Sequence, residues 1–285
     1  MEHSSLAGRV TKRFVAGQTL DEELALCAKL HQEGILTTLD YLGENVSSLE
    51  EAQVSSRAYL DSLHAIAARQ LPSTVSIKLT QFGLDFSTEA CQANVAQLVD
   101  LAQEIGTRVE IDMESSEYTD RTLQIVHAMH QRAGNVRAVI QAYLHRSEAD
   151  IRALNAAGIP VRLCKGAYQE PADVALPAKP DVDRAYVELM KLLLDEGVYA
   201  ALATHDEAII GEALRHVEKK GYAKDRFEFQ MLYGIRRDLQ RRLTSQGFRL
   251  RLYVPYGEAW YPYFMRRLAE RPANALFLLR NLVRS

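Results

Sequence analysis

Eight short apolar or β-branched runs recur along the chain, at 35–39, 75–79, 109–111, 138–142, 160–164, 200–204, 227–231 and 250–254. Amphipathic stretches of helical period separate them, among them 88–105, 119–131, 147–156, 183–194 and 207–219. Strand alternating with helix implies a parallel sheet covered on its outer faces. About eight such repeats in 285 residues favour a closed (βα)8 barrel of the TIM type over an open doubly wound sheet. The punctuation agrees. Ser87 or Thr88, Ser147 and Asp183 stand where helices should begin. Gly106, Gly134, Gly158, Gly197 and Gly221 stand where they should stop.

Before the first run, Leu20, Leu24, Cys27 and Leu30 form a helical stripe. The expected division is therefore an N-terminal helical segment over 1–30 and a barrel catalytic domain over 31–285. With 47% hydrophobic and 25% charged residues, the chain can bury one sizeable core. A net charge of −3 provides no basic field for nucleic acid. No apolar run is long enough to span a bilayer, and the first residues lack the apolar stretch of a signal peptide. Three scattered cysteines suggest neither a disulfide framework nor a zinc cluster. A soluble, cytoplasmic protein is the expectation.

Barrel chemistry sits at the C-terminal ends of the strands. Polar residues recur there: Glu44, Lys78, Asp112, Gln141, Arg162 with Lys165, Thr204 with His205 and Asp206, Gln230, and Tyr253. Any one of them alone reads as a surface residue; their recurrence is the signal. Lys78 lies between Ile77 and Leu79, so its side chain points opposite to theirs, into the barrel mouth or out of it. Lys165-Gly166-Ala167 and Thr204-His205 follow strands in a manner suited to phosphate, since a small residue permits close backbone approach. No G-x-G-x-x-G follows an early strand, which disfavours a Rossmann nucleotide site. The irregular stretch 168–182 is long enough to be a functional or lid-like loop.

Near the C-terminus, Tyr263, Arg266, Arg267 and Glu270 share one face of a predicted helix. They read either as a solvated basic stripe or as a clamp in which two guanidinium forks grip a planar carboxylate. His127 and His130, at i and i+3, lack a nearby third ligand, and an exposed helix face is the simpler reading. Arg236, Arg237, Arg241 and Arg242 read as a solvated face with weak attraction for anionic lipid.

From residue 39 to residue 281 the chain resembles the flavin-dependent proline dehydrogenases of the short monofunctional bacterial form. The segments IKLTQFG, IDMESSEY, VRLCKGAY, ATHD and YFMRRLAE fall in that family's order. The resemblance implies a distorted (βα)8 barrel, FAD bound without a covalent link, and a last helix over the barrel mouth. It assigns Arg266 and Arg267, helped by Lys78, to the proline carboxylate. Tyr253, Tyr263, Tyr168 and Leu232 fall around the pyrrolidine ring, and Glu44 pairs with the first clamp arginine. Asp112 matches the family's active-site aspartate, and Arg162 falls near the flavin N5. Met113, Gln141, Lys165, Gly166, Ala167, Thr204 and His205 match FAD contacts, and Glu270 reaches the adenosine portion or its supporting network. Gln169 stands where some members have tryptophan, so adenine packing is expected to differ, and Asp206 replaces an asparagine seen in other members. No aldehyde dehydrogenase module is present, so only the first oxidation step is expected.

The implied reaction takes L-proline to Δ1-pyrroline-5-carboxylate by hydride transfer from C5 to flavin N5. Electrons then go to a quinone, which suggests peripheral contact with the inner face of the cytoplasmic membrane. No metal is implied, and oligomerisation is left open. Two rivals remain. A barrel lyase or aldolase would use Lys78 or Lys165 for a Schiff base. A non-catalytic carboxylate-binding barrel would bind without turnover.

Overall fold

The computed structural model describes residues 15–257 and 259. Eight parallel strands close in chain order: β1 (Leu36–Tyr41), β2 (Ser73–Ile77), β3 (Val109–Ile111), β4 (Val136–Gln141), β5 (Val161–Cys164), β6 (Ala200–Ala203), β7 (Phe227–Leu232) and β8 (Leu250–Tyr256). The seam is β1 against β8, in register from Leu36 beside Arg251 to Tyr41 beside Tyr256. The TIM-type barrel expected from the alternation is therefore present. The C-terminal helix expected over its mouth lies outside the described residues.

Alternation along the strands divides the molecule into two cores of opposite character. Val75, Ile77, Val109, Ile111, Leu202 and Phe229 are completely buried and belong to the apolar layer between strands and helices. The residues between them turn inward, and most are polar. Thr38 on β1 bonds Glu110 on β3 at 3.1 Å, and Arg137 on β4 bonds Glu228 on β7 at 2.7 Å. Bonds between strands that are not neighbours must cross the barrel interior. Ion pairs there join four cations (Lys78, Arg137, Arg162 and Arg251) to four carboxylates (Asp40, Glu110, Asp112 and Glu228). Balanced charge is what makes such an interior tolerable, since an isolated buried ion costs several kcal/mol.

The helices form for local reasons. Thr19 caps Leu20–Gln32 in a reciprocal box with Glu22, and that helix buries Leu24, Cys27 and Leu30 beside β1 and β8. Ser48, Ser87 and Asp206 cap the helices Leu49–Ala68, Thr88–Glu104 and Glu207–Lys220. Two expected caps are corrected. Ser147 is the first helical residue of Ser147–Ala156, buried with its hydroxyl donating to the Gln141 carbonyl at 2.6 Å. Asp183 lies inside Lys179–Glu196, which starts a turn earlier with proline near its N-terminus. Its carboxylate is held by Lys165 and Lys179 rather than by backbone N–H groups. Among the described residues no helix is long and apolar enough to cross a membrane.

Candidate active site at the barrel mouth

At the C-terminal ends of the strands four residues converge from four elements. Asp112 follows β3, Arg162 comes from β5, Tyr253 from β8, and Lys78 follows β2. Asp112 Oδ1 accepts from Arg162 Nη1 at 2.6 Å and from the Ser76 hydroxyl at 2.8 Å. Its Oδ2 accepts from the Tyr253 hydroxyl at 2.9 Å and lies 3.7 Å from Lys78 Nζ. Lys78 also donates to Asp40 Oδ1 at 3.1 Å and to the Tyr253 hydroxyl at 3.4 Å. The Arg162 guanidinium stands 5.4 Å from the centre of the Tyr253 ring, a cation–π distance. Lys78 therefore turns into the mouth, which alternation alone left undecided.

The electrostatics follow from this crowding. Burial works against charge on Lys78, but Asp40 and Asp112 outweigh it and hold its pKa above the ordinary lysine value. Burial likewise opposes charge on Arg162, and Glu110 and Asp112 more than compensate. Both residues stay cationic at any working pH. A Schiff-base lysine must be neutral to attack a carbonyl. The lyase reading of Lys78 is disfavoured on that ground, and Lys165 is occupied by Asp183 and by Asp206 at 2.9 Å.

The remaining expected residues line the rim. Gln141 is buried, accepts from the Ala167 N–H at 2.9 Å and donates to the Glu114 carbonyl at 2.9 Å, so it ties the β5 loop to the β3 loop. Gly166 adopts φ +139°, and a Cβ there would lie 2.5 Å from the Tyr143 ring, so only glycine fits. Thr204 accepts from the Asp206 N–H at 3.1 Å. His205 Nε2 accepts from the Leu232 N–H at 2.9 Å, which joins the ends of β6 and β7 and identifies that nitrogen as the unprotonated one. Met113 is buried with its sulfur 3.8 Å from the Thr119 hydroxyl. Tyr168 is half-buried, and burial, with Glu114 and Glu44 adding to it, raises its pKa. Glu44 lies in the loop after β1 and is half-buried. Tyr263, Arg266, Arg267 and Glu270 lie outside the described residues.

The loop 168–182, expected to be lid-like, is fastened on two sides. Glu170 accepts from the Ser116 N–H at 2.7 Å and the Ser116 hydroxyl at 2.5 Å, and Leu144 bridges to Ala175.

Sequence reasoning missed Asp40, Ser76, Glu110, Glu114, Arg137, Glu228 and Arg251. Glu114 accepts from the Thr80 N–H at 3.0 Å and its hydroxyl at 2.5 Å, pinning the 3-10 turn Leu79–Phe82 that follows Lys78. Most of these residues carried a readable signal. In VEID, VRAV, FEFQ and LRLY a charged or polar residue alternates with apolar ones, as Lys78 does between Ile77 and Leu79.

The chain is similar to known proteins over nearly its whole length. A family model described as proline dehydrogenase matches residues 24–280. Proline dehydrogenase 1 of Bacillus subtilis is 42% identical over 273 residues, 96% of this chain and 90% of that protein. Proline dehydrogenase of Deinococcus radiodurans is 39% identical over 280 residues, again 96% and 90%. Among solved structures, proline utilization A from Bdellovibrio bacteriovorus, inactivated by N-propargylglycine, superposes with a TM-score of 0.84 at 27% identity, over 90% of this chain and 32% of that one. Sequence similarity over nearly the whole length and a shared barrel lead to one conclusion: the chain belongs to the proline dehydrogenase family.

Proposed function

We propose that this proline-oxidising enzyme works as a flavoprotein, converting L-proline to Δ1-pyrroline-5-carboxylate with FAD held non-covalently across the barrel mouth and a quinone as electron acceptor. The observation that carries the reading is the convergence of two permanently charged cations, Lys78 and Arg162, with Asp112 and Tyr253 above a sealed barrel floor. The donor set fits the cofactor. Lys165, the Thr204 hydroxyl and the N-terminus of Glu207–Lys220 lie along one side of the rim and would suit an anionic pyrophosphate once it displaces the Asp183 and Asp206 carboxylates that Lys165 holds. The Tyr143 ring lies close against the Gly166 backbone beside them. Arg162 and Lys78 suit a ring system that gains negative charge on reduction. FAD, when bound there, supplies the acceptance of a hydride.

The chain's own residues do the rest. Lys78 attracts the proline carboxylate, in the role shared with Arg266 and Arg267 of the terminal segment. The aromatic rings of Tyr253 and Tyr168 would flank the pyrrolidine ring, with Leu232, at the end of β7, beside them. Orientation is the main contribution, because a ring held in one pose reacts as part of an intramolecular pair. Carbon–hydrogen cleavage next to nitrogen needs the amine lone pair, so the amine must first lose its proton. Lys78 and Arg162 are balanced by Asp40 and Asp112, so the cationic excess that would disfavour the protonated amine and promote that loss falls to Arg266 and Arg267. Asp112 has both oxygens committed to Ser76, Arg162 and Tyr253. It therefore orients its neighbours rather than serving as a free base.

A spectrum of the purified protein tests the reading. Flavin bands that bleach on anaerobic addition of L-proline and return with a soluble quinone are expected. Protein that stays colourless after incubation with FAD, or a flavin spectrum that proline leaves unchanged, would end it. We place the enzyme in the cytoplasm, meeting the membrane surface where the quinone resides.

A further inference from the structure

Strand β3 and the residue that follows it turn two carboxylates inward, Glu110 and Asp112, two residues apart and hence on one face. Arg162 reaches across the barrel to both. One terminal nitrogen donates to Asp112 Oδ1 at 2.6 Å and to the Ser76 hydroxyl at 3.2 Å; the other donates to Glu110 Oε2. The guanidinium is thus gripped from two levels, by Asp112 at the mouth and by Glu110 one layer below.

Glu110 is completely buried, and both its oxygens are saturated. Oε1 accepts from the Thr74 hydroxyl at 2.7 Å and from Thr38 at 3.1 Å. Oε2 takes Arg162, Arg137 at 3.2 Å and Gln230 at 3.4 Å. Arg137 in turn bonds Glu228 at 2.7 Å, and Glu228 binds Arg251 at 2.9 Å. A carboxylate so enclosed cannot shift, and the planar fork of Arg162 has no freedom while it holds both acids.

We propose that Glu110 is a positioning residue for proline oxidation, fixing from below the plane in which Arg162 presents its charge at the barrel mouth and moderating the strength of that charge. The proposal rests on the reading in which Arg162 stands beside the redox group. Nothing about Glu110 touches substrate directly; it acts through Arg162.

Glu110→Gln keeps the shape and the acceptor for the two threonines but removes the negative charge. Arg162 then leans on Asp112 alone, and the mouth becomes more positive. Two consequences follow for the FAD-loaded protein. The midpoint potential, read by chemical reduction with dithionite and indicator dyes, moves upward, because a stronger positive field favours the reduced group. The kcat for proline falls at least tenfold with little change in KM. Glu110→Asp keeps the charge but shortens the reach, so its potential stays at the wild-type value while kcat still falls. Should Glu110→Gln not fold, the double variant Glu110→Gln/Arg137→Gln restores the charge balance of the interior and should still show the kcat loss. Wild-type potential and kcat in Glu110→Gln or in the double variant, with only the melting temperature lowered, would reduce Glu110 to a structural role and overturn the proposal. Equal displacement of potential in Glu110→Asp and Glu110→Gln would overturn it too. The dithionite titration does not involve proline. Wild-type protein that proline cannot bleach would instead remove the reading on which the proposal rests.

Discussion

Lys78 illustrates how much a single buried cation can decide. Its ammonium lies between Asp40, 1% exposed, and Asp112, 8% exposed, at 3.1 and 3.7 Å. Asp40 has one oxygen with no hydrogen-bond partner, so Lys78 is its main compensation. Lys78→Met keeps the aliphatic stem and removes the charge, leaving two carboxylates facing each other at the mouth. Breaking a buried pair in this way costs about 3–5 kcal/mol, since the abandoned charge keeps its desolvation penalty. Urea unfolding should show that loss, and Lys78→Met/Asp40→Asn should recover a sizeable part of it because the orphaned charge is gone. Equal stability of Lys78→Met and wild type would show that the pair is solvated and that the mouth is wetter than its burial implies. The inward direction of Lys78 was half legible in the sequence: alternation gave two faces, and only the partners on other strands choose between them. Asp40 was overlooked for the same reason. It stands on β1 where TLDYLGEN offered a second acid, Glu44, four residues later, and local pattern does not rank two acids on opposite sides of a strand end.

The elements themselves were largely readable, because period and punctuation are local properties. Each of the eight apolar runs overlaps a strand of the barrel. The failures are instructive in physical terms. Ser147 and Asp183 have the chemistry of helix caps, but tertiary partners claimed their side chains: a carbonyl of β4 for Ser147, two lysines for Asp183. Asp206, read as a strand-end polar residue and a departure from a family pattern, is a true cap that accepts from the Ala208 N–H at 3.1 Å. The element that most constrains the rim is the turn leaving β5. Gly166 there has a backbone conformation that L side chains rarely adopt, and the Tyr143 ring fills the space a methyl group would need. Gly166→Ala should therefore lower stability by about 1–3 kcal/mol and displace the Ala167 N–H from Gln141. Thermal melts read the first effect. If the protein is the flavoprotein proposed above, the second shows as weakened FAD binding by fluorescence titration. Trimming the ring with Gly166→Ala/Tyr143→Leu should return only the steric part, leaving the backbone strain. Full recovery in the double variant would mean that φ at this position is unimportant.

At the scale of the whole molecule, the closed barrel is a charged core wrapped in an apolar one. Closure followed from the repeat count, but the pairing inside did not, because Arg137 and Glu228 meet only when strands 91 residues apart face each other across the barrel. That interior makes a prediction about acid. Burial alone would raise the Glu228 pKa, but Arg251 and Arg137 reverse this and hold it at about 2, against an ordinary 4.5. Glu110 is also held well below the usual carboxylate range, with Arg137 and Arg162 overcoming the effect of burial. A carboxylate whose folded pKa is depressed stabilises the fold fully above its unfolded pKa, and that contribution is lost as pH falls toward the folded value. The loss should therefore begin near pH 5 and continue to about pH 2, and Glu228 alone accounts for about 3 kcal/mol of it. Throughout this window the unfolded chain binds more protons than the folded one, so unfolding should take up protons from the buffer. Exposed ion pairs such as Arg132 with Asp100 also weaken in acid, but salt screens them. The interior pairs are shielded from ions. Unfolding free energies measured from pH 6 to pH 3 in about 0.5 M salt should thus keep most of the decline seen at low salt. A decline that disappears with added salt would locate the acid-sensitive charges on the surface instead, and the barrel floor would then carry no part of the pH response.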